Sequence, residues 1–185
     1  MLTCILPAAG GRQREVPMIT LKKVLVPTDF SEASKVAIKY ARNFASTYHA
    51  AVHVVHVLPD ASVTPWAFGV EPEVMGLSSA EREKRWKERA AEQMKQLFSE
   101  AERKDLELHL TTLVGHPVQQ ILQYATEQEV DLIVMGTHGR STEGPNIGQN
   151  FPWEPPIGSV AERVVRGAPC PVLSVRHPEH EFVTP

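Results

Sequence analysis

Cysteine is scarce: Cys4 and Cys170 are the only two in 185 residues. They form no C-x-x-C spacing, so neither a disulfide framework nor a cysteine zinc site is indicated, and a reducing, cytoplasmic compartment is the expectation. Long apolar runs are missing too. No stretch reaches the length of a membrane span, and residues 1–9 lack the positively charged leader of an export signal. Nor is there an excess of positive charge. Nineteen Lys and Arg stand against 22 Asp and Glu, a net charge of −3, and the isoelectric point near 6.2 argues against a nucleic-acid-binding surface. A polyanionic ligand must therefore be held locally. Strong compositional bias is absent as well: 42% hydrophobic and 22% charged residues describe an ordinary globule rather than a disordered chain. The length suits one domain with terminal trimmings.

Residues 1–19 hold Pro7, Gly10, Gly11 and Pro17 without a period of 2 or 3.6, and read as an N-terminal extension, with Met18 a second candidate start. The domain then spans 20–178, and 179–185 form a tail. Within it, β-branched runs alternate with amphipathic stretches. Val24–Val26 is a strand; Ala33, Ala37, Ala41 and Phe44 mark a helix capped by Ser31; Ala51–Val57 is a second strand. A long loop over 58–78 ends in Ser78-Ser79-Ala80-Glu81, a capping-box spacing. The apolar positions Trp86, Ala90, Met94, Leu97 and Ala101 then predict one helix to about Lys104, its mixed charges forming a solvated face. Leu106–Leu113 alternates as a strand, and Pro117 opens a helix with Ile121, Leu122 and Ala125 on its buried face. Leu132–Met135 and Val172–Val175 are apolar strands, separated by a Gly- and Pro-rich loop over 140–157 and a short helix near Val160–Arg166. This alternation predicts an α/β fold: an open, doubly wound, parallel five-stranded sheet with helices on both faces and right-handed crossovers, Rossmann-like in arrangement. Ligands in such sheets bind beyond the carboxyl ends of the strands, where strand order reverses.

Two strands deliver chemistry to that edge. The first ends in Pro27-Thr28-Asp29-Phe30-Ser31 and the fourth in Met135-Gly136-Thr137-His138-Gly139-Arg140, a carboxylate beside a glycine-bearing turn. Gly158-Ser159-Val160 opens the last helix, where free N–H groups, a hydroxyl and the positive helix end can hold an anion without a lysine. Singly, each is an ordinary turn or helix-start residue; their convergence is the signal. Other features point nowhere specific. His53, His56 and the tail histidines have no partner suited to a metal site, so no metal ligand is assigned. Gly136-Thr137-His138-Gly139 is neither a Walker A loop nor a dinucleotide fingerprint, no nucleophile elbow is present, and no catalytic residue is assigned. Trp66, Phe68, Phe151 and Trp153 lie in the two long loops, as core covers or pocket lids.

With these motifs, and with His56-Val57, Gly115-His116-Pro117, Asp131-Leu132-Ile133-Val134 and Ala168-Pro169-Cys170-Pro171 beside them, the sequence resembles the universal stress protein family from about Leu21 to Arg176. The resemblance implies an adenine-nucleotide alpha hydrolase-like fold that binds ATP, with magnesium or manganese bridging the phosphates. By resemblance, Asp29 would bond the adenine end, Val57 would offer backbone groups to the base, and Pro27, Met135 and Gly136 would line the pocket. Gly139, Arg140, Gly158, Ser159 and Val160 would surround the phosphates. One departure stands out: 18 residues, 140–157, separate the two glycine elements, roughly twice the family spacing, though loop length itself costs little free energy.

Two functions follow. The first is a stress-response module that binds ATP, hydrolyses it slowly at most, and signals through a change of partner or oligomer. The alternative is a dimeric interaction protein of the same fold that binds no nucleotide. An adenylyl- or phosphotransfer enzyme ranks last, for want of a base or lysine directed at phosphate. In both leading readings the apolar last strand, Pro171–Val175, lies at a sheet edge and pairs with a second copy. The 140–157 loop is then a lid over the phosphates or a surface for a protein partner.

Overall fold

The computed structural model describes residues 19–60, 77–139 and 157–176. Expectations for the N-terminal extension, the bulk of the two long loops and the tail lie outside the described residues, as do Arg140, Trp66, Phe68, Phe151 and Trp153. The elements are β1 (Lys23–Pro27), α1 (Glu32–Tyr48), β2 (Ala51–Leu58), α2 (Ser79–Gln96), α3 (Glu100–Asp105), β3 (Leu108–Val114), α4 (Pro117–Glu127), β4 (Leu132–Gly136), α5 (Ser159–Gly167) and β5 (Val172–Val175). The five strands form one sheet, ordered β3-β2-β1-β4-β5, and each neighbouring pair is parallel. The chain winds outward from β1 to β3, then returns to build β4 and β5 on the other side. Strand order therefore reverses between β1 and β4.

Period-two alternation sorts each strand onto two cores. Val24, Val26, Val52, Val54 and Val134 pack with α1 and with Met94 and Phe98. Leu25, Val55, Ile133 and Met135 pack with α4 and α5. Helix α1 presents Ala33, Ala37, Ala41 and Ala45, all buried, and this run of small residues at i+4 steps lets its axis approach the sheet closely. Ser31 caps it by accepting from the Ser34 N–H, and His49, in the left-handed region at φ 55°, ends it.

One sequence expectation is corrected. The helix from Ser79 does not run on to Lys104: it ends at Gln96, and α3 begins at Glu100. Ser99 and Glu102 form a second capping box like that of Ser78 and Glu81, giving the chain a complete alternative start. The break is pinned from α1. The Arg42 guanidinium bonds the Leu97 carbonyl, pairs with Glu102 at 3.1 Å and lies 4.9 Å from the Phe98 ring centroid, while Phe98 itself is buried. Among the described residues, no helix is long and apolar enough to cross a membrane.

Candidate functional site

Strands β1 and β4 are paired at Val24–Leu132 and Leu25–Ile133, yet they run on to Pro27 and Gly136. A cavity of about 240 Å³ opens beyond their carboxyl ends, at the reversal of strand order where this architecture binds ligands. Pro27, Asp29, Val57, Met135, Gly136, Gly139, Gly158, Ser159 and Val160 all line it. The structure thus brings together every sequence-derived site residue among those described.

Each wall has a local cause. After β1 the chain turns through Thr28-Asp29-Phe30-Ser31, where Phe30 takes the left-handed conformation at φ 65°. Hydroxyls lock this turn. Thr28 Oγ1 accepts from the Phe30 N–H at 3.1 Å and lies 3.0 Å from Ser34 Oγ, which donates to the Ser31 carbonyl at 2.9 Å. Asp29 Oδ1 accepts from the Ser31 N–H at 3.1 Å and from Ser31 Oγ at 2.5 Å. The carboxylate is consequently a fixed acceptor, oriented by the same serine that caps α1.

The β4 turn and the start of α5 meet opposite it. Gly158 N–H donates to the Thr137 carbonyl at 2.7 Å, and a Cβ on Gly158 would stand 3.0 Å from that oxygen. Thr137 is anchored in turn by its N–H to the Val175 carbonyl at 2.8 Å. A Cβ on Gly139 would collide with Asp29 Oδ2, so the bare backbone is what lets the β4 turn lie against the carboxylate. Helix α5 has Gly158 at its N-cap and no side-chain cap. Its first helical bond is Glu162 N–H to Gly158 carbonyl, which leaves the N–H groups of Ser159, Val160 and Ala161 without intrahelical acceptors beside the cavity.

The cavity has a polar and an apolar side. Val57, Pro117, Ile121, Met135, Val160 and Ala161 supply apolar surface, and Thr28, Asp29, Ser34, Thr137, Ser159 and two imidazoles supply polar groups. No lysine or arginine lines it among the described residues. An anion here would meet backbone N–H groups and a helix N-terminus. No cluster of three metal-ligating side chains occurs among the described residues. Cys170, whose thiol is pushed up by burial and then by Asp131, is not among the lining residues.

Sequence reasoning missed His56, His138, Thr28 and Ser34. His56 Nδ1 lies 2.7 Å from the Thr28 carbonyl, which can only accept, so Nδ1 carries the proton; its ring also tilts against Phe30 at 4.5 Å. His138 Nδ1 lies 3.0 Å from Thr137 Oγ1. Their adjacency to the quoted motifs was the available signal.

Residues 20–176 match the family described as the Universal stress protein family. The universal stress protein MJ0531 of Methanocaldococcus jannaschii is 34% identical over 160 residues, covering 86% of this chain and 85% of that one. The solved structure of MJ0577, from the same organism, superposes with a TM-score of 0.66 at 27% identity, covering 89% of this chain and 100% of that one. A universal stress protein from Archaeoglobus fulgidus, solved in complex with dAMP, shares the fold with a TM-score of 0.51 at 23% identity, over 85% of this chain and 98% of that one.

Proposed function

Because the chain belongs to the universal stress protein family, we propose that it binds ATP in the cavity between the β1 and β4 ends and acts in stress response through nucleotide-dependent changes of partner or oligomer. The observation that carries this reading is the side-chain-free cradle. Gly139 and Gly158 stand where a Cβ would meet Asp29 and the Thr137 carbonyl, beside an uncapped helix N-terminus. Such backbone accepts phosphate oxygens without a cationic side chain. The A. fulgidus protein, of the same fold, takes an adenine nucleotide.

The chain's own residues fit each part of that ligand. Val57, Met135 and Pro27 offer a base an apolar surface and backbone groups, Asp29 offers a fixed acceptor, and Gly139, Gly158, Ser159 and Val160 face the phosphates, with Arg140 beyond the described residues adding a charge. Bound ATP would supply its own phosphate ligands to magnesium or manganese, so the protein needs no metal cluster of its own. Asp29 is engaged as an acceptor by Ser31, which suits binding and orientation. The edge strand β5 pairs with a second copy.

Isothermal calorimetry with ATP and magnesium tests the binding. Wild type should bind, and Asp29→Ala should weaken binding by about tenfold or more, as expected for a lost charged hydrogen bond. Absence of heat from the wild type at millimolar ATP would overturn the reading in favour of a nucleotide-free dimeric interaction protein, which the long 140–157 spacing favours. Light scattering at tens of micromolar separates dimer from monomer in either case.

A further inference from the structure

A second cluster of titratable groups lies away from the cavity, where α4 covers the β2–β3 side of the sheet. His53 on β2 and His109 on β3 are register partners, and their rings stack at 4.4 Å with planes 21° apart. Face-to-face imidazoles cannot share a metal ion, so this is not a ligand pair. His53 is buried at 4% exposure. Its Nδ1 lies 3.0 Å from the Tyr124 hydroxyl of α4, which stands 3.4 Å from Thr111 Oγ1. Its Nε2 is buried with no hydrogen-bond partner among the described residues.

This arrangement suits a neutral ring and opposes a charged one. Neutral His53 pairs with Tyr124 in either tautomer, because a phenol both donates and accepts. The imidazolium carries two N–H donors, of which Tyr124 satisfies one; the other is buried with no acceptor among the described residues, at full desolvation cost. Neighbouring charge acts in the same direction. His109, stacked on it, is half-exposed and lies 3.2 Å from Glu107. Lys23 on β1, bonded to the Gln128 carbonyl just past α4, adds a second positive charge; Glu107 alone opposes them. Burial first, then His109 and Lys23, hold the His53 pKa below the ordinary 6.5.

We propose that His53, His109 and Tyr124 form an acid-released latch that docks α4 on the sheet at neutral pH and loosens it as His53 becomes protonated. The consequence reaches the cavity through α4 itself, whose first turns contribute Pro117 and Ile121 to its wall, Ile121 lying one turn before Tyr124. Acid therefore slackens one wall of the site while β1, β4 and α1 stay in place. The latch needs no nucleotide and stands whether or not ATP binds.

The test is amide hydrogen exchange of the full chain at about pH 7.5 and about pH 5, with rates corrected for the intrinsic pH dependence and α1 amides as internal control. If opening restores an ordinary histidine, the opening equilibrium rises up to about tenfold for each pH unit between 6.5 and the lowered value. Wild-type α4 should lose protection at low pH by about tenfold relative to α1, and His53→Phe, which keeps an aromatic ring without a titrating nitrogen, should abolish that difference. Equal losses in α4 and α1, or a difference that persists in His53→Phe, would overturn the latch. Should His53→Phe not fold, nuclear magnetic resonance of the wild-type ring decides: His53 titrating at 6.5 or above refutes the proposal, and titration below 6.5 with concerted α4 shifts supports it.

Discussion

Gly136 and Gly139 sit three residues apart at the same strand end, and the same substitution should act on them through different contacts. A Cβ at Gly136 would lie 2.9 Å from the Ala33 Cβ and 3.0 Å from its carbonyl carbon. Both belong to the first turn of α1, packed on the sheet by its alanine stripe, so nothing flexible can yield. Overpacking of this kind costs about 1–3 kcal/mol, offset by up to about 1 kcal/mol from the lower chain entropy of unfolded alanine. Gly136→Ala should thus lower stability by about 1–2 kcal/mol, a fall in melting temperature of roughly 2–8 °C for a chain of this size. At Gly139 the obstacle is the tip of the Asp29 side chain, held by its bonds from Ser31. Gly139→Ala should displace the carboxylate, weakening ATP binding, and should cost about 1 kcal/mol of stability for the Ser31 bonds it loosens. Urea denaturation and calorimetry on both variants check the split. A double mutant adds a control: Ala33→Gly removes the nearer Cβ but leaves the carbonyl carbon, so its coupling to Gly136→Ala should be at least about 0.5 kcal/mol. Gly136→Ala as stable as wild type, or strict additivity with Ala33→Gly, would refute the account of how α1 seats on β4.

Global stability should fall on acidification from pH 6.5 downward, because the lowered pKa of His53 means that the unfolded chain binds more protons; the contribution is whole above 6.5 and lost as pH falls toward the lowered value. Urea midpoints measured across that range should flatten in His53→Phe, and an unchanged slope would count against it. Ser99→Ala removes the cap of α3 and should cost about 1 kcal/mol, seen as a lower urea midpoint; no change would mean that Arg42 alone sets the helix break. A chain beginning at Met18 should unfold at the same temperature as the full sequence, since residues 1–17 show no periodic pattern of their own, and a drop of several degrees would show that the segment packs on the domain.

The fold was legible because strand alternation and helix stripes agree with one another. Val24 and Val26 face one core and Leu25 the other, as a strand buried on both faces requires. The helix break at Ser99 was not legible from periodicity, since Leu97 and Ala101 continue the four-residue step across it. The sign was local, Ser99-x-x-Glu102 repeating the Ser78-x-x-Glu81 spacing. A capping box inside an apolar period is the competing rule that prevailed there, helped by Arg42, which lies 55 residues before Leu97 in sequence and whose role no local pattern carries.

The cavity residues were legible for a related reason and only in part. Glycines mark positions where backbone approaches something closely, and sequence reasoning assigned that something to phosphate. The structure gives the same glycines neighbours within the protein: Ala33 for Gly136, Asp29 for Gly139, the Thr137 carbonyl for Gly158. These contacts seat the starts of α1 and α5 against the ends of β1 and β4, and so shape the cavity before any ligand enters. The motif therefore encodes a scaffold first, and the shape of the cavity as its consequence. Hydroxyl and imidazole partners such as Thr28–Ser34 and His56–Thr28 stayed hidden because their significance depends on that seating. His53 and Tyr124, 71 residues apart, were hidden entirely, since only the packed sheet brings them together.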